Sequence, residues 1–146
     1  MKKHILLLLF FGFLSFGFSQ IDESIEMVPT IRESDQVSDS NVVFSVVEQM
    51  PEFPGGDEAR MLFLSKNIKY PRSAKEDGIQ GNVYATFVVE KDGTLSDIKI
   101  LRGLSSDINA EVIRVINLFP KWNPGKQRGK VVRVQYSMPF RFLLDD

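Results

Sequence analysis

Two pairs of carboxylates, Glu48 with Glu52 and Asp92 with Asp97, are spaced closely enough to be tested as an acid and base couple. Neither survives the test. Asp92 stands in a Lys91-Asp92-Gly93-Thr94 turn, and Asp97 falls on a solvent-facing position of a strand pattern. Ser105 and Ser106 lie just before an apolar-periodic stretch, with no His or suited Lys in sequence reach, so they read as helix caps rather than nucleophiles. Gly55, Gly56, Gly78 and Gly81 lack both the spacing and the lysine of a phosphate-binding loop. The only histidine is His4 and there is no cysteine, which excludes disulfides, thiol chemistry and Cys-ligated metal. No catalytic residue, metal site, cofactor or small-molecule substrate is expected.

What must be positioned is therefore a surface. The chain has 146 residues, 18 basic and 19 acidic. Lys2 and Lys3 precede fourteen residues, 5–18, that only Gly and Ser interrupt, and Gly17, Phe18 and Ser19 suit a cleavage after Ser19. The run is shorter than the roughly 20 apolar residues of a membrane helix. Residues 1–19 are expected to be a cleaved signal peptide that exports the rest to the periplasm. Residues 20–41 hold six acids and one Arg and read as a flexible acidic tether. Within it, residues 25–31 could alternatively be a short docking motif. Residues 42–144 carry 15 bases against 11 acids. That excess is scattered, which argues against nucleic acid and favours an acidic partner.

Periodicity sets out the elements. Residues 42–47 are predicted to be a strand, followed by a Pro- and Gly-rich connection over 48–56. Asp57 is expected to cap a helix over 58–68 that buries Met61, Leu64 and Ile68, with Leu62 widening the stripe. Pro71 starts a short helix over 71–77, separate or kinked from the first, with Ala74 buried. Strands over 82–90 and 95–101 form an antiparallel hairpin about Gly93, and residues 107–118 form a helix buried through Ile108, Val112, Val115, Ile116 and Phe119. Phe87, Ile98, Ile116, Tyr136 and Phe140 should share one core. The loop 126–130 carries Lys126, Arg128 and Lys130, and Trp122 before it is either a core lid or part of a partner-binding loop with those three bases.

The last strand, predicted over 131–143, alternates seven times without a slip. Val132, Val134, Tyr136, Met138, Phe140, Phe142 and Leu144 fall on one face; Arg133, Gln135, Ser137, Pro139 and Arg141 fall on the other, with Val131 and Leu143 the exceptions. Pro139 cannot donate to a ladder, so this strand is either bulged there or unpaired along one edge. An unpaired edge accepts either an extended peptide or a second copy of the chain. The candidate partner-binding residues are Val131, Val132, Arg133, Val134, Gln135, Tyr136, Ser137 and Arg141.

The series Tyr70-Pro71-x-x-Ala74, Gly78-Ile79-Gln80-Gly81-Asn82-Val83, Phe87-Val88-Val89, Asp92-Gly93, Arg102-Gly103, Pro120-x-Trp122-x-Pro124-Gly125 and Pro139-Phe140-x-Phe142 resembles the C-terminal domain of TonB, an energy transducer of Gram-negative bacteria. The opening over 47–56 resembles the form found in Bacteroidetes. The resemblance implies an α+β domain over 42–146, a curved antiparallel sheet with helices packed on one face. It further implies binding, by strand addition, to periplasmic segments of TonB-dependent outer-membrane transporters. An extended 22-residue tether spans only about 70 Å at roughly 3.3 Å per residue, so energy transduction is expected of this chain only if residues 5–18 remain as an anchor. The other readings are an accessory periplasmic domain that self-associates through the same edge, or binding to another periplasmic protein.

Overall fold

The computed structural model describes residues 41–145, which lie in the second of the two units of the chain, Ser38–Asp146. The expected signal peptide and nearly all of the tether fall outside the described residues. Eight elements follow in the order β1 (Val43–Phe44), α1 (Gly56–Asn67), α2 (Arg72–Glu76), β2 (Gly81–Val89), β3 (Leu95–Arg102), α3 (Ser106–Asn117), β4 (Gly125–Gln127) and β5 (Lys130–Phe142). They build a curved sheet of order β1-β5-β2-β3, with β4 paired to β5 and the helices packed on one face. All pairings are antiparallel except that of the two-residue β1.

The β2–β3 hairpin turns where expected. Asp92 Oδ1 accepts from Thr94 N at 3.0 Å, and Gly93 takes φ 86°. Gly93 is required twice over, because a Cβ there would stand 2.1 Å from the Trp122 carbonyl oxygen. Trp122 N donates to Gly93 O at 2.9 Å, which ties the segment after α3 to the hairpin tip. Along β3 the register slips by one residue between the Thr86–Lys99 and Val88–Ser96 pairs, with Asp97 at φ 49°, and slips again beside Tyr84. The first bulge brings Leu95, Ile98 and Ile100 to the same side despite their unequal spacing.

The core lies between the even-numbered face of β5, the Val83-Ala85-Phe87-Val89 face of β2, and α3. Phe87, Ile116 and Phe140 are buried in it, with Ile98 and Tyr136 packed against them, as the pattern predicted. Ser105 caps α3, its hydroxyl accepting from Ile108 N at 3.2 Å. Thr86 is buried on the other face, and its single hydroxyl is fully used: it donates to Tyr136 O at 3.1 Å and accepts from Gln135 Nε2 and Ser137 Oγ.

Four local expectations need correction. The first strand is two residues long rather than six, since the chain bends after Phe44 and leaves Val46 exposed while Val47 packs on Val132 and Val134. Helix α1 starts at Gly56 after Gly55 in a left-handed conformation, and Asp57 makes no capping bond but pairs with Arg60 at 3.1 Å. The face that α1 turns to the core carries Ala59 and Phe63, with Leu64 and Ile68 at its margin; Met61 and Leu62 are 67% and 56% exposed. The aromatic cluster decides this, because Phe63 stacks within 5.6 Å of Phe53 and 5.4 Å of Phe119. Finally, the basic loop is the turn of a hairpin in which β4 pairs with residues 130–132 through Arg128 and Gly129, both at positive φ.

Candidate partner-binding edge

Along β5 the pairing with β2 runs in one unbroken register from Gly81↔Phe142 to Val89↔Val134. Pro139, opposite Tyr84, interrupts nothing, so the strand is not bulged there. A proline costs a ladder nothing where its missing N–H would face an unpaired side. On the side of β5 away from β2, β1 pairs only with Arg133 and Val134. Among the described residues no strand pairs with residues 135–142 on that side. This open stretch of eight residues is about 26 Å long at 3.3 Å per residue.

The candidate residues divide accordingly. Val131 and Val132 face β4 across its hairpin, and Arg133 and Val134 are covered by β1. Val132 and Val134 are buried in a small cluster with Val47. Gln135, Tyr136, Ser137 and Arg141 lie on the open stretch, where Gln135, Ser137 and Arg141 are exposed and Tyr136 is half-buried. Arg60 Nη1 donates to the Tyr136 hydroxyl at 3.1 Å. Trp122 is 2% exposed and belongs to the core, stacked against Phe87 at 5.3 Å and Tyr136 at 5.1 Å. Of the loop group, only Lys126, Arg128 and Lys130 reach solvent.

Arg133 is already engaged. Its guanidinium donates to both oxygens of Glu90 at 2.7 and 2.9 Å and to Asn41 O at 3.2 Å, clamping Asn41, two residues before β1, to the residue that follows β2. Hydrogen bonds from Arg133 hold the Glu90 carboxyl below the ordinary glutamate range against the opposing effect of burial. On the far side of the domain, Arg114 holds Glu111 low in the same way, while Glu111 accepts from Lys69 N at 2.7 Å and Arg114 donates to Asn67 O at 2.7 Å. These contacts fix the end of α1 to α3. Of the carboxylates considered as acid and base pairs, Glu48 accepts from Arg128 N, Asp92 accepts from Thr94 N and Asp97 pairs with Lys99, while Glu52 bridges to Asn123 through its backbone alone.

The sheet has a second outer strand, β3, and sequence reasoning did not weigh it. Its two register shifts, its left-handed Asp97 and the Asp97–Lys99 ion pair at 3.3 Å break up a regular template. Sequence reasoning also missed that α1 stands beside β5, where Met61, Leu64 and Ile68 line a groove with Phe140 and Arg141. The available signal was apolar residues on more than one face of α1: Ala59 and Phe63 on one, Met61 and Leu62 on another.

The pattern of the family described as "Gram-negative bacterial TonB protein C-terminal" matches residues 66–144. Protein TonB of Helicobacter pylori (strain J99) is 39% identical over 80 residues, 51% of this chain and 28% of that protein. Protein TonB of Pseudomonas aeruginosa is 30% identical over 76 residues, 52% of this chain and 22% of that protein. The chain thus spans about a quarter of the length of these relatives. The solution structure of the Pseudomonas aeruginosa TonB C-terminal domain is 30% identical, with a TM-score of 0.43 over 53% of this chain and 79% of that one. The pattern covers more than half of the chain, and the motifs from Tyr70 to Phe142 fall within it in order, so the chain belongs to the non-catalytic Gram-negative bacterial TonB C-terminal family.

Proposed function

We propose that this module binds an extended segment of a partner protein by strand addition along β5. The observation that carries the reading is the unbroken β2–β5 register beside an open edge at residues 135–142, whereas β3, at the far side of the sheet, is bulged twice. Main-chain donors and acceptors of those residues supply the ladder, except for the missing Pro139 N–H. A partner covering the whole candidate strand, Val131 to Ser137 and Arg141, must also displace β1 and separate β4.

Membership in the TonB C-terminal family supports a periplasmic module whose partner is the periplasmic segment of a TonB-dependent outer-membrane transporter. The division proposed is a signal peptide over 1–19, a tether over 20–41 and the module over 42–146, its 47–56 opening resembling the form found in Bacteroidetes. Closure of the same edge by a second copy is the alternative.

The test is to titrate the isotope-labelled chain with peptides from the periplasmic termini of transporters and record amide shifts. Strand addition shifts residues 135–142 and leaves α2 still. It persists when Gln135 and Ser137 are exchanged for other polar residues, and weakens when alternate N–H groups of the peptide are methylated. Absence of shifts at residues 135–142, with a dimer that dissociates on dilution, would replace this reading with self-association.

A further inference from the structure

The strand that already lies on the β5 edge is the chain's own. β1 adds in parallel to Arg133 and Val134, on the side of β5 that residues 135–142 leave open. Burial does little to hold it there: Val43 is 38% exposed, the chain bends after Phe44, and Val46 is 81% exposed. A ladder of two residues is short, and parallel pairing is the less stable kind per residue. The first firmly buried residue of the connection is Val47, packed on Val132 and Val134. What secures β1 is a side-chain latch at its entrance. The Arg133 guanidinium joins both Glu90 oxygens to the Asn41 carbonyl, and Ser96 Oγ on β3 donates to the same Glu90 carboxyl at 2.5 Å. This latch meets solvent. The Arg133 and Glu90 side chains are 24% and 25% exposed, beside a cleft of about 500 Å³ that Lys91, Asp92 and Thr94 also line. It can therefore open without disturbing the core.

We propose that β1 is a resident competitor for the partner's place on β5, and that the Arg133 latch makes the module selective by length: segments confined to residues 135–142 bind the latched edge, and longer ones bind only with release of residues 41–46. The inference rests on strand addition at β5. A segment that needs the backbone groups of Arg133 and Val134 must take the place of β1, so its affinity is lowered by the fraction of molecules in which β1 has left. A shorter segment meets no such competition. Release ends at Val47, which is held by its own burial. It adds six residues, about 20 Å at 3.3 Å per residue, to the connection ahead of the module.

The experiment titrates the isotope-labelled full chain and its Glu90→Gln variant with three capped peptides. One has eight residues alternating threonine and valine; the other two carry four more threonines, at one end or the other, so that one of them reaches Arg133 whichever way the strand runs. The short peptide is expected to shift the amides of residues 135–142 and leave those of 41–46 unchanged. The long peptide that reaches Arg133 is expected to shift 135–142 and to move the 41–46 amides toward random-coil positions while Phe53 stays still. Glu90→Gln removes the charge that holds Arg133 and keeps the shape. It is expected to tighten that long peptide about three- to tenfold and to change the short one by less than about twofold. If the variant loosens the whole module, as read by its urea midpoint, Val43→Pro within β1 is expected to give the same gain for the long peptide alone. An equal gain for all three peptides, or a long peptide that binds tightly with 41–46 still, overturns the resident strand and leaves strand addition standing. No shift at residues 135–142 with any peptide overturns strand addition and this proposal with it.

Discussion

Replacing Phe87 by Ala removes the ring at the centre of the aromatic cluster. The side chain is fully buried, with the rings of Trp122, Tyr136 and Phe119 at 5.3, 5.8 and 6.3 Å. Burial of such a side chain is worth about 2–3 kcal/mol. Trp122 is pinned by its backbone bond to Gly93, so its neighbours cannot fully collapse into the space. If about 60 Å³ remains empty, the cavity adds about 1.4 kcal/mol at 24 cal/mol per Å³. The expected loss is therefore about 3.5–4.5 kcal/mol, a large part of the roughly 5–15 kcal/mol that holds a domain folded. Urea denaturation followed by Trp122 fluorescence reads it as a midpoint lowered by about 2 M for a slope near 2 kcal/mol/M. If the alanine variant does not fold, Phe87→Leu should lose about 1–2 kcal/mol by the same assay. Leu101→Ala, at a side chain 61% exposed, should stay within about 0.5 kcal/mol. A loss below about 1 kcal/mol for Phe87→Ala would refute the packing described for this core.

Three other outcomes follow from the geometry. Gly93→Ala sets a Cβ 2.1 Å from the Trp122 carbonyl at positive φ, and should lower the urea midpoint more than Gly129→Ala, where a Cβ meets nothing within 4 Å. Glu90 has a lowered folded value, so its pairing with Arg133 contributes fully above the ordinary glutamate value of about 4.3 and is lost as pH falls through the lower folded one; Glu90→Gln should flatten the acid limb of the stability curve measured by denaturation at stepped pH. Val43→Pro removes the N–H of a two-residue strand, and should strengthen binding of any peptide long enough to reach Arg133 while leaving shorter peptides unaffected, as read by titration calorimetry.

The parts of the fold that were legible in the chain are those where one physical signal acts alone. Seven alternations place β5 and its buried face, and Asp92-Gly93 places the hairpin, because each needs only the local pleat or a local turn. Met61, Leu64 and Ile68 misdirect the reading of α1, since its true inner face is chosen by Phe53 and Phe119, which are distant in sequence. The β4 hairpin escapes notice because a non-glycine residue, Arg128, occupies a left-handed position. The β3 bulges leave no mark beyond the uneven spacing of Leu95, Ile98 and Ile100. Of the candidate strand, the alternation identifies the element but not which side of it is covered, because β1 and β4 reach it from elsewhere in the chain.

The absence of cysteine makes a direct test of strand addition available. Ser137→Cys places one thiol on the exposed face of the open β5 stretch, and a matching set of transporter peptides carries a single cysteine moved one position at a time. Cross-strand neighbours share a face only at alternate positions. Disulfide trapping at Ser137→Cys should therefore rise and fall with a period of two along the peptide, while Lys99→Cys on bulged β3 should trap none of the set above background. Trapping without that period, or equal trapping at the two strands, would contradict strand addition at β5.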